Sequence, residues 1–554
     1  MNRFLTSVCV LLLAAGSVNA QSAQVKNAAK STFKLTAYDS NGNATSSTCG
    51  VFVTADGEAI GSWSALSSAA SAVVTDFNGK TYPVQKLIGA NEIYDVCRFK
   101  VGTQKAQAAT LAKALMPKDS KLWLVGSEQK KPTAAQYEIE RQETFMDKYG
   151  YYVLAFRDSQ GIPGSAMVNA NGELVGLFQS APSAVDARYA AQLKFDALTI
   201  NNPLYTSSGI RLQLPADKKD AQLMVMFAAD KGDSAKYAGY ISDYISQFPH
   251  DVDGYSMDAL RRVNYGDYAG ADSQMQTALK QATNKAEAHS EYSRVMYQKL
   301  VYSNDSLYND WTLDRAYNEA EKAYKLDAQP AYQHRMAQIL YTKGEYQKAY
   351  DMFDALTKTP ICNSEIFFEA AQCKTQLGAP NEQVLVLLDS CVARCPQPLT
   401  TVSAPYILTR GNLRDAMKDY RGALADYNTY DTLMFGRASA DFYYTRYTCE
   451  VNLRQYQQAL NDIAHAAVVA QPDMRPPYLA ELASLQLRVN KLEDAVKTAD
   501  LCLNLDPKST DALVIKGVAL NALKRKAEAI ECLKKAAELG DKRGDEYIKK
   551  YSSK

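Results

Sequence analysis

The stretch GIPGSAMVNANGELVGLF, residues 161–178, decides the fold of the first part of this chain. From Ala166 to Phe178 it reads as strand, turn and strand, because apolar residues stand on both sides of the glycine-bearing break at 170–172. The same kind of short apolar run occurs in residues 47–61, 121–127 and 151–156. Many short apolar runs between turn signals predict a β-barrel or a β-sandwich.

The texture changes near residue 215, where apolar residues begin to recur at helical spacing. Segments such as KGEYQKAYDMFDAL (343–356) and YGDYAGADSQMQTAL (265–279) follow one pattern, and another amphipathic helix precedes each of them. The pattern returns about every 34 residues, a period typical of helical repeats. The predicted repeats start near residues 219, 252, 286, 330, 365, 404, 440, 476 and 510.

These repeats resemble the tetratricopeptide repeat (TPR), a helix-turn-helix unit. Glycine or asparagine stands at the expected turn in Gly266, Gly344, Gly378 and Asn490. A small residue stands early in the second helix at Ala271, Ala316, Ala349, Ala423, Ala459, Ala495 and Ala529. The resemblance implies a superhelix of about nine units over 215–541 with a capping helix over 542–554. Its concave groove is expected to bind protein or peptide partners.

The strand-rich part resembles the trypsin-like serine proteases, especially their high-temperature-requirement branch. Three stretches carry the resemblance in the family's order: STCGVFVTADGEAIGSWSAL (47–66), YDVCRFKV (94–101) and the stretch at 161–178. It implies two six-stranded β-barrels within residues 21–214, with the active-site cleft between them. The predicted fold class is therefore multidomain: an all-β trypsin-like double β-barrel followed by an all-α TPR superhelix.

The resemblance places the three catalytic roles on Ser64, Asp95 and Pro163. A serine nucleophile needs a base to take its proton and a third group to orient that base. Here proline replaces the serine, serine replaces the histidine, and the chain has no histidine before residue 250; its four are His250, His289, His334 and His465. We therefore expect no catalytic residues, hence a pseudoprotease with only Asp95 of the triad retained.

Three alternatives stay open at this point. Ser165 is a fallback nucleophile for an active endopeptidase, with Asp95 or a lysine as base, although Pro163 removes a backbone N–H where the family builds its oxyanion hole. Trp63, beside the former histidine position, either fills the old cleft or offers an apolar platform for a peptide. Catalysis in the repeat region has no motif around any histidine to support it.

Residues 1–20, MNRFLTSVCVLLLAAGSVNA, are predicted to be a signal peptide. Their apolar core is too short for a membrane span, and no other stretch is long and apolar enough. We expect an exported protein, periplasmic or outer-membrane-associated in a Gram-negative bacterium, or secreted. With 62 Lys+Arg against 61 Asp+Glu, the charge gives no support for nucleic-acid binding.

Nine cysteines follow the signal peptide, so at least one stays unpaired within the chain. Disulfides are possible at Cys49–Cys97 and Cys362–Cys395, and the remaining cysteines are expected to be small core residues. The spacings contain no C-x-x-C and no close histidine pair, so no metal and no cofactor are expected.

Overall fold

The structure is a computed structural model that describes residues 22–128, 130–155, 161–179, 183–303 and 308–552. The chain divides into two compact units, residues 1–284 and 285–554. The predicted signal peptide lies outside the described residues.

Two closed antiparallel barrels of six strands each form the strand-rich part of the described chain. The hydrogen-bonded order is β1-β2-β3-β6-β5-β4 in the first and β10-β11-β12-β9-β8-β7 in the second. The predicted double barrel is thereby confirmed. The strands are β1 (Thr32–Tyr38), β2 (Ala44–Phe52), β3 (Glu58–Gly61), β4 (Ser71–Asp76), β5 (Thr81–Asn91), β6 (Val96–Val101), β7 (Lys121–Glu128), β8 (Lys131–Phe145), β9 (Tyr149–Leu154), β10 (Ala166–Val168), β11 (Leu174–Phe178) and β12 (Ser183–Asp186).

The alternation of side chains along β1 shows which of them face the core of the first barrel. On β1, Phe33 and Leu35 face the core while Lys34 between them is exposed, the period of two that a half-buried strand requires. The Phe33 ring lies directly over Gly50 of β2, where a Cβ would come within 2.4 Å of it. The ring centroid of Phe33 is 4.7 Å from that of Phe52, and each buried aromatic contributes roughly 1.5–3 kcal/mol.

The rest of the chain is helical, as predicted. Three short helices accompany the barrels: α1 (Ala23–Ala28), α2 (Ala187–Gln192) and α3 (Pro203–Thr206). Nine antiparallel pairs and a last helix follow among the described residues: α4 (Lys218–Ala229), α5 (Ser234–Gln247), α6 (Val252–Asn264), α7 (Tyr268–Gln281), α8 (Lys285–Tyr302), α9 (Leu313–Leu326), α10 (Pro330–Thr342), α11 (Tyr346–Leu356), α12 (Ser364–Gln376), α13 (Asn381–Ala393), α14 (Ala404–Ala416), α15 (Tyr420–Leu433), α16 (Ala440–Asn452), α17 (Tyr456–Val469), α18 (Arg475–Arg488), α19 (Leu492–Leu505), α20 (Thr510–Ala522), α21 (Lys526–Glu538) and α22 (Lys542–Ser552).

The first helix of each pair begins within one residue of a predicted repeat start. The seven alanines at the small-residue position, from Ala271 to Ala529, are all completely buried. A side chain without bulk there lets the two helices of a pair approach closely. At the turn, Gly344 has a φ of +81°, the left-handed conformation that glycine adopts without strain.

The helices of the first unit share a core with the first barrel. Met224 and Val225 of α4 and Tyr244 of α5 belong to the same buried cluster as Phe33 and Phe99. The connecting segment, residues 211–213, pairs with Leu87 of β5 through the bonds Leu87 N–H to Arg211 O and Gln213 N–H to Leu87 O. The predicted domain boundary at 214/215 therefore marks a change of secondary structure within one packed unit, which extends to residue 284.

Candidate functional site

Asp95, which the protease resemblance assigned to the triad, lies in the loop between β5 and β6. Its Oδ2 accepts hydrogen bonds from Ser62 Oγ at 2.7 Å and from Ser64 Oγ at 3.2 Å. Its Oδ1 accepts the backbone N–H of Ser64 at 2.6 Å. Two serine hydroxyls and one backbone N–H thus donate to this carboxylate.

The backbone around this carboxylate is held in a specific conformation. Asp95 has a φ of +45°, a left-handed value that aspartate adopts more readily than most residues. Its backbone carbonyl also accepts the N–H of Trp63 at 3.4 Å. The Asp95 loop and the 62–64 segment are therefore joined through both main chain and side chain. This arrangement holds the Asp95 carboxylate in a network of serine hydroxyls and backbone groups, and no residue before 250 is a histidine that could act as the triad base.

Trp63 fills the core beside the former histidine position. Its side chain is 3% exposed, and its ring lies 5.5 Å from that of Tyr205. Trp63 therefore packs within the first barrel's core and does not present an open platform to a ligand.

The loop that would carry a nucleophile is docked against the first barrel. The carbonyl of Pro163 accepts the N–H of Cys49 in β2 at 3.1 Å. Gly164 follows with a φ of +83°, and a Cβ at this position would lie 2.1 Å from the Cys49 carbonyl oxygen. The polypeptide of this loop consequently occupies space beside β2 that only a glycine can enter.

Substitution of Gly164 by alanine is expected to separate this loop from β2. The left-handed φ and the contact with the Cys49 carbonyl together should cost about 1–3 kcal/mol. Hydrogen exchange of peptides covering residues 44–52, read by mass spectrometry, should become faster than in the parent protein.

The matched control is Gly126→Ala in β7, where φ is not positive and the nearest atom, Thr133 Oγ1, is 3.5 Å from the added Cβ. Equal exchange rates for residues 44–52 in the parent and the Gly164 variant would contradict the docking of the loop.

Ser165, the fallback nucleophile, is 8% exposed. Its backbone N–H donates to the Ile162 carbonyl, and its carbonyl accepts the N–H of Phe178. Between the two described residues Ser165 and Asp95 the structure places no hydrogen bond. The fallback pairing of Ser165 with Asp95 therefore stays a prediction that no hydrogen bond between the two residues supports.

An aromatic cluster beside Asp95 was not predicted from the sequence. Tyr94 stacks on Phe145 at 4.5 Å between centroids and meets Tyr189 edge-on at 5.6 Å. Tyr189 Oη accepts a hydrogen bond from Asn91 Nδ2 at 2.9 Å. These rings connect the Asp95 loop to the second barrel. The only sequence signal for this cluster was that Tyr94 directly precedes Asp95.

Neither predicted disulfide is formed. In the first barrel Gly50, Gly61 and Cys97 lie in one cross-strand row, so β3 separates β2 from β6. Strands two apart are about 9.6 Å apart, beyond the 4.4–6.8 Å between Cα atoms that a disulfide needs. In the second pair, Cys395 Sγ contacts the Cys391 carbonyl at 3.6 Å instead of Cys362.

Most of the other cysteines lie in the interior, as the sequence predicted. Burial raises the pKa of the Cys373 and Cys391 thiols to about 12 each. Burial, with the charge of Asp95, also raises the pKa of the Cys97 thiol. Thiols of this kind remain protonated and unreactive.

Two histidines in the second unit are hydrogen-bonded to carboxylates. His289 Nδ1 on α8 is hydrogen-bonded to Glu319 on α9. His334 Nε2 on α10 is hydrogen-bonded to Glu369 on α12, whose other oxygen accepts Gln338 Nε2 at 2.8 Å. Among the described residues, neither histidine forms a hydrogen bond to a serine or threonine hydroxyl or to a cysteine thiol.

A buried ionic cluster links α15, α16 and α17. Arg446 donates through Nε and Nη2 to both oxygens of Asp462, at 2.6 and 2.9 Å, and its Nη1 lies 3.0 Å from Asp431 Oδ2. Burial opposes the guanidinium charge, but hydrogen bonds and the charge of Asp462 outweigh it and raise the pKa of Arg446. Glu450 of α16 is 4% exposed, and burial with the charge of Asp462 raises its pKa to about 7, against the opposing effect of Arg446.

Within the described ranges, no group of three or more His, Cys, Asp or Glu side chains is arranged to hold a metal ion. None of the helices in the described part of the chain has both the length and the apolar character that crossing a bilayer demands.

Comparison with family models gives no match, and neither does a search of curated proteins. Among solved structures the chain is similar to an HtrA-type protease, AlgW, with a tripeptide, at 17% sequence identity and a TM-score of 0.27. The alignment covers 30% of this chain and 60% of that one, so the chain spans less than two thirds of the protease it matches.

Proposed function

We propose that this protein is a catalytically inactive, protease-like protein whose helical repeats bind protein or peptide partners in the bacterial cell envelope. The observation that carries the proposal is the environment of Asp95. Its carboxylate accepts two serine hydroxyls and a backbone N–H, and no residue before 250 is a histidine. This network therefore lacks the imidazole base that a serine-protease triad uses.

Pro163 supports the same proposal from the second barrel. It has neither a hydroxyl to attack a carbonyl group nor a backbone N–H to stabilise an oxyanion. Its own carbonyl is engaged with Cys49 N–H. The missing nucleophile and the docked loop together favour a structural role for the former cleft.

The helical repeats support partner binding. Seven of the nine pairs have a completely buried alanine at the repeat position, which is what TPR arrays require for close packing. We infer that the pairs are TPR units. Arrays of this class bind extended peptides along the faces of their first helices, and we assign that role to this region.

The mature protein is expected to cleave no fluorogenic casein and to leave a fluorophosphonate probe unattached. The reason is that Ser165 is buried and has no hydrogen bond to Asp95, so its hydroxyl stays protonated. Turnover or probe labelling that disappears in Ser165→Ala, but persists in the exposed-serine control Ser68→Ala, would refute catalytic inactivity and support an active endopeptidase.

Export and partner binding are tested separately. Fractionation of the source cells should place the protein in the periplasm, at the outer membrane or in the medium. Affinity capture from an envelope extract should retain a protein whose binding is then reproduced with purified components. Recovery in the cytoplasm would contradict export, and no retained protein under several salt conditions would contradict the scaffold role.

A further inference from the structure

Two first helices of consecutive pairs, α16 and α18, are joined by a reciprocal pair of hydrogen bonds. Tyr447 Oη of α16 donates to Glu481 Oε1 of α18 at 2.8 Å. Tyr478 Oη of α18 donates to Asp441 Oδ1 of α16 at 2.6 Å. The ring of Tyr444 lies 5.6 Å from that of Tyr447 and 5.8 Å from that of Tyr478. These five residues are called the tyrosine–carboxylate cluster below.

The cluster has a buried base and an exposed face. Tyr447 and Tyr478 are 3% and 9% exposed, so the surrounding packing holds these two phenols in place. Tyr444 is 39% exposed, and Asp441 is exposed beside it. An aromatic ring therefore faces solvent next to a carboxylate side chain, and packed residues hold both in place.

The two carboxylates form no ion pair within the described ranges. Each uses one oxygen to accept a phenol, and no arginine, lysine or histidine of the described ranges forms an ion pair with Asp441 or Glu481. The hydrogen bond to Asp441, together with burial, raises the pKa of Tyr478 to about 12. Burial and the bond to Glu481 raise the pKa of Tyr447, against the opposing charge of Arg488. The phenols therefore remain donors to the two carboxylates.

An aromatic face beside two carboxylates has the chemistry that recognises a cation. A guanidinium or ammonium group over the Tyr444 ring gains a cation–π interaction. The carboxylate oxygens not used by the phenols accept charge-assisted hydrogen bonds from the same group. An acidic segment would meet two like charges, and a neutral one would displace water from the carboxylates without replacing its hydrogen bonds.

We propose that the tyrosine–carboxylate cluster binds a cationic side chain, preferably arginine, presented by an extended segment of a partner protein. Arginine is preferred over lysine because its planar guanidinium stacks on a ring and donates in a fork that matches a carboxylate. This inference rests on the proposed function, since it names the chemistry of the segment that the repeats bind.

The test uses the full mature chain and fluorescein-labelled Gly/Ser peptides with spaced arginines. Matched peptides carry citrulline, which keeps the shape of arginine without its charge, or glutamate. Binding is measured by fluorescence anisotropy. The arginine peptide should bind saturably and about tenfold more tightly than the citrulline peptide, and added salt should weaken it. The glutamate peptide should not bind.

The double variant Asp441→Asn with Glu481→Gln removes both charges but keeps an oxygen to accept each phenol. It should fold as the parent does and bind the arginine peptide about tenfold more weakly, as should Tyr444→Ala. The matched control, Asp473→Asn with Glu493→Gln, removes one exposed aspartate and one exposed glutamate outside the cluster and should bind as the parent does.

Unchanged arginine-peptide binding in the charge-removing variant would overturn the inference. Equal binding of the citrulline peptide, or preferred binding of the glutamate peptide, would also overturn it while leaving a peptide-binding function intact. Failure of the parent to bind any peptide would overturn the inference, and the proposed function would fall with it if the envelope extract also yielded no partner.

Discussion

Arg446→Met is expected to lower the free energy of unfolding of the second unit by about 3–5 kcal/mol. Arg446 is 9% exposed and forms a two-point ion pair with Asp462, which is 7% exposed. Methionine keeps the aliphatic volume but leaves the Asp462 carboxylate buried without a counter-charge. Urea unfolding followed by far-ultraviolet circular dichroism measures the loss.

The control for this substitution is Arg421→Met on the exposed face of α15, which should change stability by no more than about 0.5 kcal/mol. Combining Arg446→Met with Asp462→Leu should recover part of the loss, because the second change removes the stranded charge. A change within about 0.5 kcal/mol for Arg446→Met alone would show that the ion pair does not stabilise the unit.

Glu450→Gln is expected to make the second unit more stable at neutral and alkaline pH. Glu450 Oε2 is buried with no hydrogen-bond partner among the described residues, and the folded-state pKa of this carboxyl is about 7. An unfolded glutamate has a pKa near 4.3, so the unfolded state loses its proton first. The parent therefore loses stability as pH rises from about 4.3 to 7, by about 4 kcal/mol, and the glutamine variant avoids this loss.

Chemical unfolding between pH 4 and pH 8 measures this difference. The stability of the parent and of Glu450→Gln should agree at the acidic end and separate through the stated interval, with the variant more stable above pH 7. Glu493→Gln on the exposed surface of α19 is the control and should follow the parent. Parallel pH profiles for the parent and the Glu450 variant would contradict an elevated pKa at this position.

The sequence predicted the architecture because its signals are local. Glycine at 344 and alanine at 349 mark a turn and a close helix contact within a few residues of each other. The turns at Lys418, Arg454 and Lys524 have the same left-handed φ, from +60° to +64°, without a glycine to indicate it. Packing of the neighbouring helices holds those residues in a conformation that their own preferences do not favour.

The site was less predictable because its contacts join distant segments. The absence of a histidine before residue 250 and the proline at 163 could be read directly. The hydrogen bond from Cys49 N–H to Pro163 O could not be predicted, because every residue has a backbone carbonyl and the sequence does not indicate which N–H it will accept. The aromatic cluster around Tyr94 and the bond from Tyr447 to Glu481 likewise depend on tertiary structure.

The shared core of α4, α5 and the first barrel has a consequence for how such a protein evolves. A recombination event that joined the barrels to a different helical array at residue 214 would remove Met224 and Val225 from the buried cluster that also contains Phe33 and Phe99. A module that keeps this core intact is thus longer than the strand-rich segment. Lineages that exchange repeats should retain the first two helices and vary the array beyond them.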